Sequence, residues 1–156
     1  MRIYIGSDHA GYELKNHLAQ YLSQNGYDVT DVGPHDFDPE DDYPAFCFHT
    51  ADAVVNDVEA LGIVIGGSGN GEQIAANKVA GCRAALAWSE ETARLSRQHN
   101  DANVVSLGAR MHTLEEAERI VEVFLTEPFS AADRHQRRID QVTDYEKARQ
   151  LPPLPH

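Results

Sequence analysis

The chain has 156 residues, of which 42% are hydrophobic and 24% charged, and its formal net charge at pH 7 is -12. This size and composition are those of a globular domain, and the acidic balance argues against general electrostatic binding of nucleic acid. Cys47 and Cys82 are too few for a disulfide framework, and no apolar run reaches the roughly 18 residues of a membrane span. We therefore expect a cytoplasmic protein without a membrane or nucleic-acid partner, with both thiols in its core.

Apolar periodicity divides the chain into alternating strands and helices. A short apolar run predicts a first strand at 2–6, and apolar residues on one helical face predict a helix at 12–25. Thr113, with Glu116 three residues later, is the capping-box pattern that starts a helix. Further strands are predicted at 27–32, 61–65, 83–87 and 103–107, and further helices at 43–56, 72–79, 90–98, 113–125 and 130–149.

This alternation predicts an α/β fold, with a parallel sheet covered by helices on both faces and with a C-terminal helix. We expect one domain over residues 1–150 and a frayed, proline-rich tail over residues 151–156. Ligands of such sheets bind beyond the carboxyl ends of the strands. The segments that follow strands should therefore converge there: Asp8 and His9, residues 66–72, Ser89, and residues 108–110.

The sequence LGIVIGGSGNGEQ at residues 61–73 predicts a strand, a tight glycine loop and the start of a helix. Glycines allow backbone N–H groups to approach an anionic oxygen closely, and the first helical turn adds unpaired donors. The pattern lacks the spacing of a dinucleotide fingerprint and the lysine of a P-loop. Glu72 is a candidate base beside this loop, where N–H donors would lower its pKa and desolvation would raise it. The loop residues are Gly67, Ser68, Gly69, Asn70 and Gly71.

Histidines stand at two further positions of interest. His9 follows Asp8 at the end of the first strand, where the pair is either a surface histidine beside a capping aspartate or a group that handles substrate protons and anions. His99 and Asn100 end a helix, where a histidine also interacts favourably with the helix dipole. The residues alone leave both alternatives open.

A basic cluster near the C-terminus stands out in this acidic chain. Arg134 and Arg138 lie four residues apart, so they share a helix face and could bind a phosphate, or they could pair with neighbouring aspartates. Arg110 follows the last strand and could add a positive charge. No HxxxH or CxxC motif occurs, so we expect no metal site. The acidic loop at residues 36–42 either forms a wall of the pocket or only solubilises the surface. The basic cluster near the C-terminus consists of Arg134, His135, Arg137 and Arg138.

Four separated motifs resemble the ribose-5-phosphate isomerase type B family over about residues 1–149: GSDHAGYELK, GGSGNGEQIAANK, RAALAW through HNDANVVSLGAR, and RHQRRID. The resemblance implies a three-layer Rossmann-like sandwich with a five-stranded parallel sheet. It also implies a homodimer or a dimer of dimers, with active sites between subunits. The implied reaction interconverts ribose 5-phosphate and ribulose 5-phosphate through a cis-enediolate, without a metal or another cofactor.

The resemblance also implies roles for individual residues. Many members carry a cysteine base just before the glycine loop, where this chain has Ile65, and Glu72 matches the branch that uses a glutamate in a GGSGNGE loop. Asp8 and His99 resemble the groups that open the furanose ring, with Asn100 beside them. The phosphate anchors correspond to His9, Arg134 and Arg138, supported by Arg110 and His135.

Two alternatives remain at the level of sequence. Relatives in the same superfamily isomerise allose 6-phosphate or galactose 6-phosphate, and pocket length would separate them from a pentose-phosphate enzyme. A non-catalytic sugar-phosphate-binding module is the other alternative. It should lack a base at the loop, so the presence of Glu72 argues against it.

Overall fold

The computed structural model describes residues 1–155, which form one five-stranded sheet and six α-helices. The strands are β1 (Arg2–Ser7), β2 (Asp28–Gly33), β3 (Leu61–Gly66), β4 (Ala84–Leu86) and β5 (Val104–Gly108). The helices are α1 (Tyr12–Gln24), α2 (Tyr43–Val55), α3 (Asn70–Ala76), α4 (Glu90–Asn100), α5 (Leu114–Thr126) and α6 (Asp133–Ala148).

The sheet is parallel throughout, and its strand order is β2-β1-β3-β5-β4. Strand β2 lies on one side of β1, and β3, β5 and β4 lie in that order on the other side. The direction of winding therefore changes between β1 and β3, where Ser7 pairs with Ile65. In open α/β sheets the crevice at such a switch point, beyond the carboxyl ends of the strands, is the usual ligand site.

Two apolar layers cover the faces of the sheet, as the predicted three-layer α/β fold requires. Helices α1, α4 and α5 pack on one face, around Ile5, Ile63 and Leu107. Helices α2 and α3 pack on the other face, and this layer includes Cys47 and Cys82. Both thiols are buried, and burial raises the pKa of each to about 12. The expectation that the cysteines are core residues is confirmed.

Several element boundaries differ from the predicted ones for local reasons. Helix α3 begins at Asn70 and ends at Ala76. The next residue, Asn77, bonds the backbone of Ala84 instead: Asn77 Nδ2 donates to Ala84 O at 2.9 Å, and Asn77 Oδ1 accepts from Ala84 N at 2.8 Å. Helix α6 begins at Asp133 instead of residue 130, since Ala131 has a φ of 53° and cannot continue a right-handed helix. Strand β4 is limited to three residues.

The predicted start of α5 is confirmed by its capping geometry. Thr113 Oγ1 accepts from the N–H of Glu116 at 3.1 Å, and Glu116 Oε2 accepts from the N–H of Thr113 at 2.9 Å. Over residues 1–155, no helix is both long and apolar enough to cross a membrane. Residues 151–155 form neither helix nor strand.

Candidate active site

The glycine loop after β3 is fixed through its carbonyl groups. Gly66 O accepts from Ala109 N at 2.7 Å, Gly67 O from Arg110 N at 3.1 Å, and Gly69 O from Ser106 Oγ at 2.7 Å. Within residues 1–155, the N–H groups of Gly67, Ser68 and Gly71 make no hydrogen bond. The loop is therefore held against β5 with several donors left for a ligand.

Gly69 is a position where only glycine fits. Its φ is 84°, and a Cβ atom there would lie 2.9 Å from the carbonyl carbon of Leu107. Any side chain would therefore force the loop away from β5, in addition to the backbone strain. The glycine pattern that the sequence shows is thus required by the close approach of two backbone segments.

Glu72 lies in the first turn of α3 and is 4% exposed. Its carboxylate occupies the space beside Gly66, where a Cβ atom would overlap it. Burial raises the pKa of Glu72, the negative charge of Asp8 adds to the rise, and a hydrogen bond from its own backbone N–H opposes it. Desolvation therefore outweighs the single backbone donor, and the pKa of Glu72 lies above its ordinary value, a direction that the sequence left open.

Asp8 stands at the carboxyl end of β1, directly beside β3. Its N–H donates to the carbonyl of Ile65 at 3.3 Å, and its Oδ1 accepts from the N–H groups of Ala10 at 2.9 Å and Gly11 at 3.2 Å. The capping interpretation of Asp8 is therefore confirmed. The carboxylate is 6% exposed and close enough to Glu72 to influence its pKa, so the sheet brings two buried acids together at this edge.

His9 is held by a residue that sequence reasoning did not single out. Asp41 Oδ1 accepts from the backbone N–H of His9 and bonds His9 Nδ1, both at 2.8 Å. This contact, together with the negative charge of Asp8, raises the pKa of His9. Potential metal-ligand atoms of Asp8, His9 and Asp41 lie within 4.8 Å of one another. The absence of a metal motif in the sequence did not address this set, because its members come from two separate segments.

Two further side chains border the loop. Arg110 lies against Gly67, where a Cβ atom would be 3.0 Å from its Nη1. Tyr43, at the start of α2, lies against Gly71, where a Cβ atom would be 2.5 Å from its ring Cζ. Sequence reasoning missed Tyr43, whose only signal was its place directly after the acidic loop. These residues, with Asp8, His9, Asp41 and Glu72, form what we call the carboxyl-edge cluster.

A second cluster lies between α4 and α6. The rings of His99 and His135 are 4.3 Å apart between centroids, and Ser130 Oγ lies 2.8 Å from His135 Nδ1. Burial lowers the pKa of His135, and His99, Arg134 and Arg138 lower it further. We call His99, Asn100, Arg134, His135 and Arg138 the amino-edge cluster.

The arginines of the amino-edge cluster are not neutralised by their own helix. Arg134 and Arg138 are exposed, and neither forms an ion pair within residues 1–155. Asp140 Oδ1 instead accepts from Gln136 Nε2 at 2.8 Å. The alternative in which these arginines pair with neighbouring aspartates is therefore wrong, and both guanidinium groups are available to an anion.

In one chain, the two clusters lie at opposite ends of the strands. The carboxyl-edge cluster lies at the carboxyl ends, and the amino-edge cluster lies at the amino ends. Helix α4 runs back from the carboxyl end of β4, and its last residue, Asn100, therefore lies beside Arg83 at the amino end of β4. Arg83 Nε donates to the carbonyl of Asn100 at 3.0 Å. The two edges are separated by the length of β3 from Gly62 to Gly66, roughly 13 Å. No hydrogen bond, ion pair or ring contact within the described chain joins the clusters. One chain therefore brings together the residues of each half, but not the two halves.

The fold and the carboxyl-edge cluster define an α/β protein with a glycine loop that has free backbone donors and with a buried carboxylate at a switch point, the usual place for an active site. The model of the ribose/galactose isomerase family matches residues 3–142. The chain belongs to this family.

Individual relatives are similar over nearly the whole chain. The chain is 57% identical to ribose-5-phosphate isomerase B of Mycolicibacterium paratuberculosis, over 99% of this chain and 98% of that protein. It is 56% identical to the Mycobacterium tuberculosis protein of that name, over 99% of this chain and 96% of that one. The structure of ribose-5-phosphate isomerase B from Mycoplasma genitalium with bound ribulose-5-phosphate has a TM-score of 0.90 at 48% identity, covering 94% of this chain and 97% of that one. The Clostridium thermocellum enzyme has a TM-score of 0.91 at 44% identity, covering 96% and 100%.

Proposed function

We propose that this protein interconverts D-ribose 5-phosphate and D-ribulose 5-phosphate through a cis-enediolate, with Glu72 as the base. The observation that carries the proposal is the buried carboxylate of Glu72 beside a loop with free N–H donors. The similar proteins named above support the choice of substrate, since they are ribose-5-phosphate isomerases and one is seen with ribulose-5-phosphate.

Each part of the carboxyl-edge cluster has a task in this reaction. Glu72 removes the proton from C2 of the open-chain aldose and returns it to C1, while a proton moves from O2 to O1. The negative charge that develops on O1 is stabilised by the N–H groups of Gly67, Ser68 and Gly71. Because burial raises the pKa of Glu72, the carboxylate is a stronger base than an exposed glutamate.

The remaining roles follow the family resemblance. Asp8 and His99, with Asn100 beside them, assist opening of the furanose ring. The phosphate is held by His9 and the arginines, and His135 supports the arginines through its neutral, buried ring. The phosphate and substrate contacts are thus assigned to His9, Asn100, Arg110, Arg134, His135 and Arg138.

These roles require two copies of the chain, because the two clusters lie at opposite edges of one sheet. We propose a homodimer, or a dimer of dimers, in which the amino-edge cluster of one copy completes the carboxyl-edge cluster of the other. Trp88 is 73% exposed and Met111 is 64% exposed, and both line a cavity of about 400 Å³ next to Ser68 and Asn70. An apolar surface beside the loop is suited to contact with a second copy.

Subunit complementation tests this arrangement. One chain carries Glu72→Gln, the other carries His99→Ala with Arg134→Ala, and hybrid dimers are isolated through two different tags. Each hybrid contains one intact site of two, so we expect about half of the wild-type activity per dimer. A doubly tagged Glu72→Gln dimer is the matched control. Inactive hybrids would show that the amino-edge cluster of one copy does not complete the carboxyl-edge cluster of the other.

Turnover itself is tested with ribose 5-phosphate, allose 6-phosphate and galactose 6-phosphate side by side, with EDTA present. We expect fastest conversion of the pentose phosphate. The family's description includes galactose as well as ribose, which makes a 6-phosphohexose the second candidate substrate. Faster turnover of a hexose phosphate would replace ribose 5-phosphate as the proposed substrate. No turnover of any of the three sugar phosphates would favour a sugar-phosphate-binding module.

A further inference from the structure

We propose that Asp41 is a positioning residue for His9: it binds Nδ1 of the imidazole and so presents Nε2–H to the phosphate of the substrate. This role deepens the proposed function and depends on it, since His9 must contact a sugar phosphate. It also assigns a function to the acidic loop between β2 and α2, which the sequence left without one.

A single carboxylate oxygen of Asp41 fixes His9 at two points. Oδ1 accepts from the backbone N–H and bonds the ring Nδ1, each at 2.8 Å. Two contacts to one acceptor hold both the backbone and the ring of His9. Because a carboxylate accepts a hydrogen bond and cannot donate one, Nδ1 carries a hydrogen, and Nε2 carries one as well in the imidazolium. Within residues 1–155, Nε2 of His9 makes no hydrogen bond, so this nitrogen is available to a ligand.

The other oxygen of Asp41 indicates that the contact is not there for stability alone. The side chain is 11% exposed, and Oδ2 is buried without a hydrogen-bond partner in the described part of the chain. A buried carboxylate with one unbonded oxygen is costly to the folded state. Such a cost is typical of functional positions, and here every hydrogen bond that the Asp41 side chain makes within residues 1–155 is with His9.

The loop that carries Asp41 is docked onto the same segment as His9. Tyr12, the first residue of α1, donates its hydroxyl to the carbonyl of His35 at 3.1 Å. Its ring meets Phe37 edge to face, with 5.6 Å between centroids. Residues 36–40 are exposed, whereas Asp41 turns inward. The tip of the loop is therefore solvated, and its last turn is part of the site.

The charges around His9 decide how the contact responds to pH. The groups that face the ring are Asp41 and Asp8, whose Oδ2 lies 4.0 Å from Nδ1. Both are negative, and together they raise the pKa of His9, so the imidazolium persists to a higher pH than usual. Asp41→Asn keeps an acceptor but removes the charge. The pKa of His9 should then fall, so that the imidazolium is retained at acid pH and lost at a lower pH than in wild type.

The test measures binding of D-ribitol 5-phosphate, which has no carbonyl group and cannot be isomerised. Dissociation constants are determined by calorimetry between pH 5.5 and 8.5 for wild type, Asp41→Asn and the exposed loop control Asp36→Asn. The ratio of the dissociation constant of the variant to that of wild type cancels the effect of phosphate ionisation, which is the same for both proteins. For Asp41→Asn we expect a ratio near one at pH 5.5, rising above neutrality up to roughly tenfold for each unit by which the pKa of His9 falls. The Asp36→Asn ratio should stay flat.

Two further measurements separate positioning from loss of structure. In a His9→Gln background, Asp41→Asn should weaken binding no further, because the effect passes through His9. Nitrogen-15 spectra of the histidines, with His9 assigned from the His9→Gln variant, should show a lower pKa for His9 in Asp41→Asn than in wild type. An equal loss with and without His9, or an unchanged pKa, would overturn the role of Asp41.

The outcomes also separate this role from the proposed function. Wild type that neither binds D-ribitol 5-phosphate nor isomerises ribose 5-phosphate would overturn both the proposed function and the role of Asp41 in phosphate binding. Wild type that does both, with an Asp41→Asn ratio independent of pH, would overturn only the role of Asp41.

Discussion

The carboxyl-edge and amino-edge clusters differ in how the fold builds them. At the carboxyl edge, the sheet itself places buried acids, Asp8 and Glu72, next to the backbone donors of a fixed loop. At the amino edge, side chains of two helices form the cluster, and Arg134 and Arg138 extend into solvent without ion pairs within residues 1–155. The first cluster places a base beside donors for an oxyanion, and the second offers two unpaired guanidinium groups to an anion. Because they are apart in one chain, the comparison predicts that variants of each will fail in different ways.

The largest effect is expected for Glu72→Gln. Removing the base should lower kcat by roughly 10³-fold, while binding of D-ribitol 5-phosphate stays within a few fold. Steady-state kinetics measures kcat, and calorimetry measures the dissociation constant of D-ribitol 5-phosphate. Glu115→Gln is the matched control, since Glu115 also lies in the first turn of a helix but on the surface. Loss of binding together with activity would make Glu72 an anchor and remove the distinction between the clusters.

His99→Ala should separate ring opening from proton transfer. Ribose 5-phosphate is mainly cyclic, so its conversion should fall by roughly 10²-fold without the ring-opening group. Ribulose 5-phosphate cannot close a furanose ring, because its 5-hydroxyl carries the phosphate. Exchange of solvent deuterium into C1 of ribulose 5-phosphate, followed by NMR in D2O, should therefore be affected much less. Equal losses in both assays would contradict the ring-opening role.

Arg134→Ala should act on recognition alone. Loss of a charge-assisted hydrogen bond to the phosphate should raise KM about tenfold and leave kcat nearly unchanged. Arg137→Ala provides the comparison, since Arg137 is an exposed arginine on the same helix but on a neighbouring face. If the two variants raise KM equally, the cluster acts as a general positive charge, and no specific anchor is needed.

The smallest effect concerns stability. The pKa of Glu72 is raised in the folded state above its unfolded value of about 4.3. The folded chain therefore binds the proton more tightly, and the carboxylate becomes destabilising as the pH rises through the folded-state pKa. At pH 7, Glu72→Gln should raise Tm by a few degrees, given about 2–4 °C per kcal/mol in a domain of this size. The gain should vanish near pH 4 in scanning calorimetry. A lower Tm at pH 7 would mean that Glu72 is stabilised by contacts rather than strained by burial.

Much of the carboxyl-edge cluster could be predicted from sequence, because it consists of segments that directly follow strands. A parallel sheet brings the ends of its strands together, so Asp8 and Glu72 were predicted to meet once the strands were recognised. The start of α5 was equally local, since Thr113 and Glu116 satisfy each other. Asp41 was missed, because its partner His9 lies 32 residues away and nothing in a polar loop indicates which acid turns inward.

The sequence by itself determined the order of strands and helices, the glycine loop and the chemical groups available, because these depend on periodicity and on backbone freedom within a few residues. Only the tertiary structure decided how those groups are charged and which of them meet. Burial beside Gly66 raises the pKa of Glu72, whereas the sequence alone leaves its direction open. The return of α4 along the sheet carries His99 to the edge opposite Glu72. Desolvation and helix direction depend on the packing of distant segments, and no local pattern specifies them.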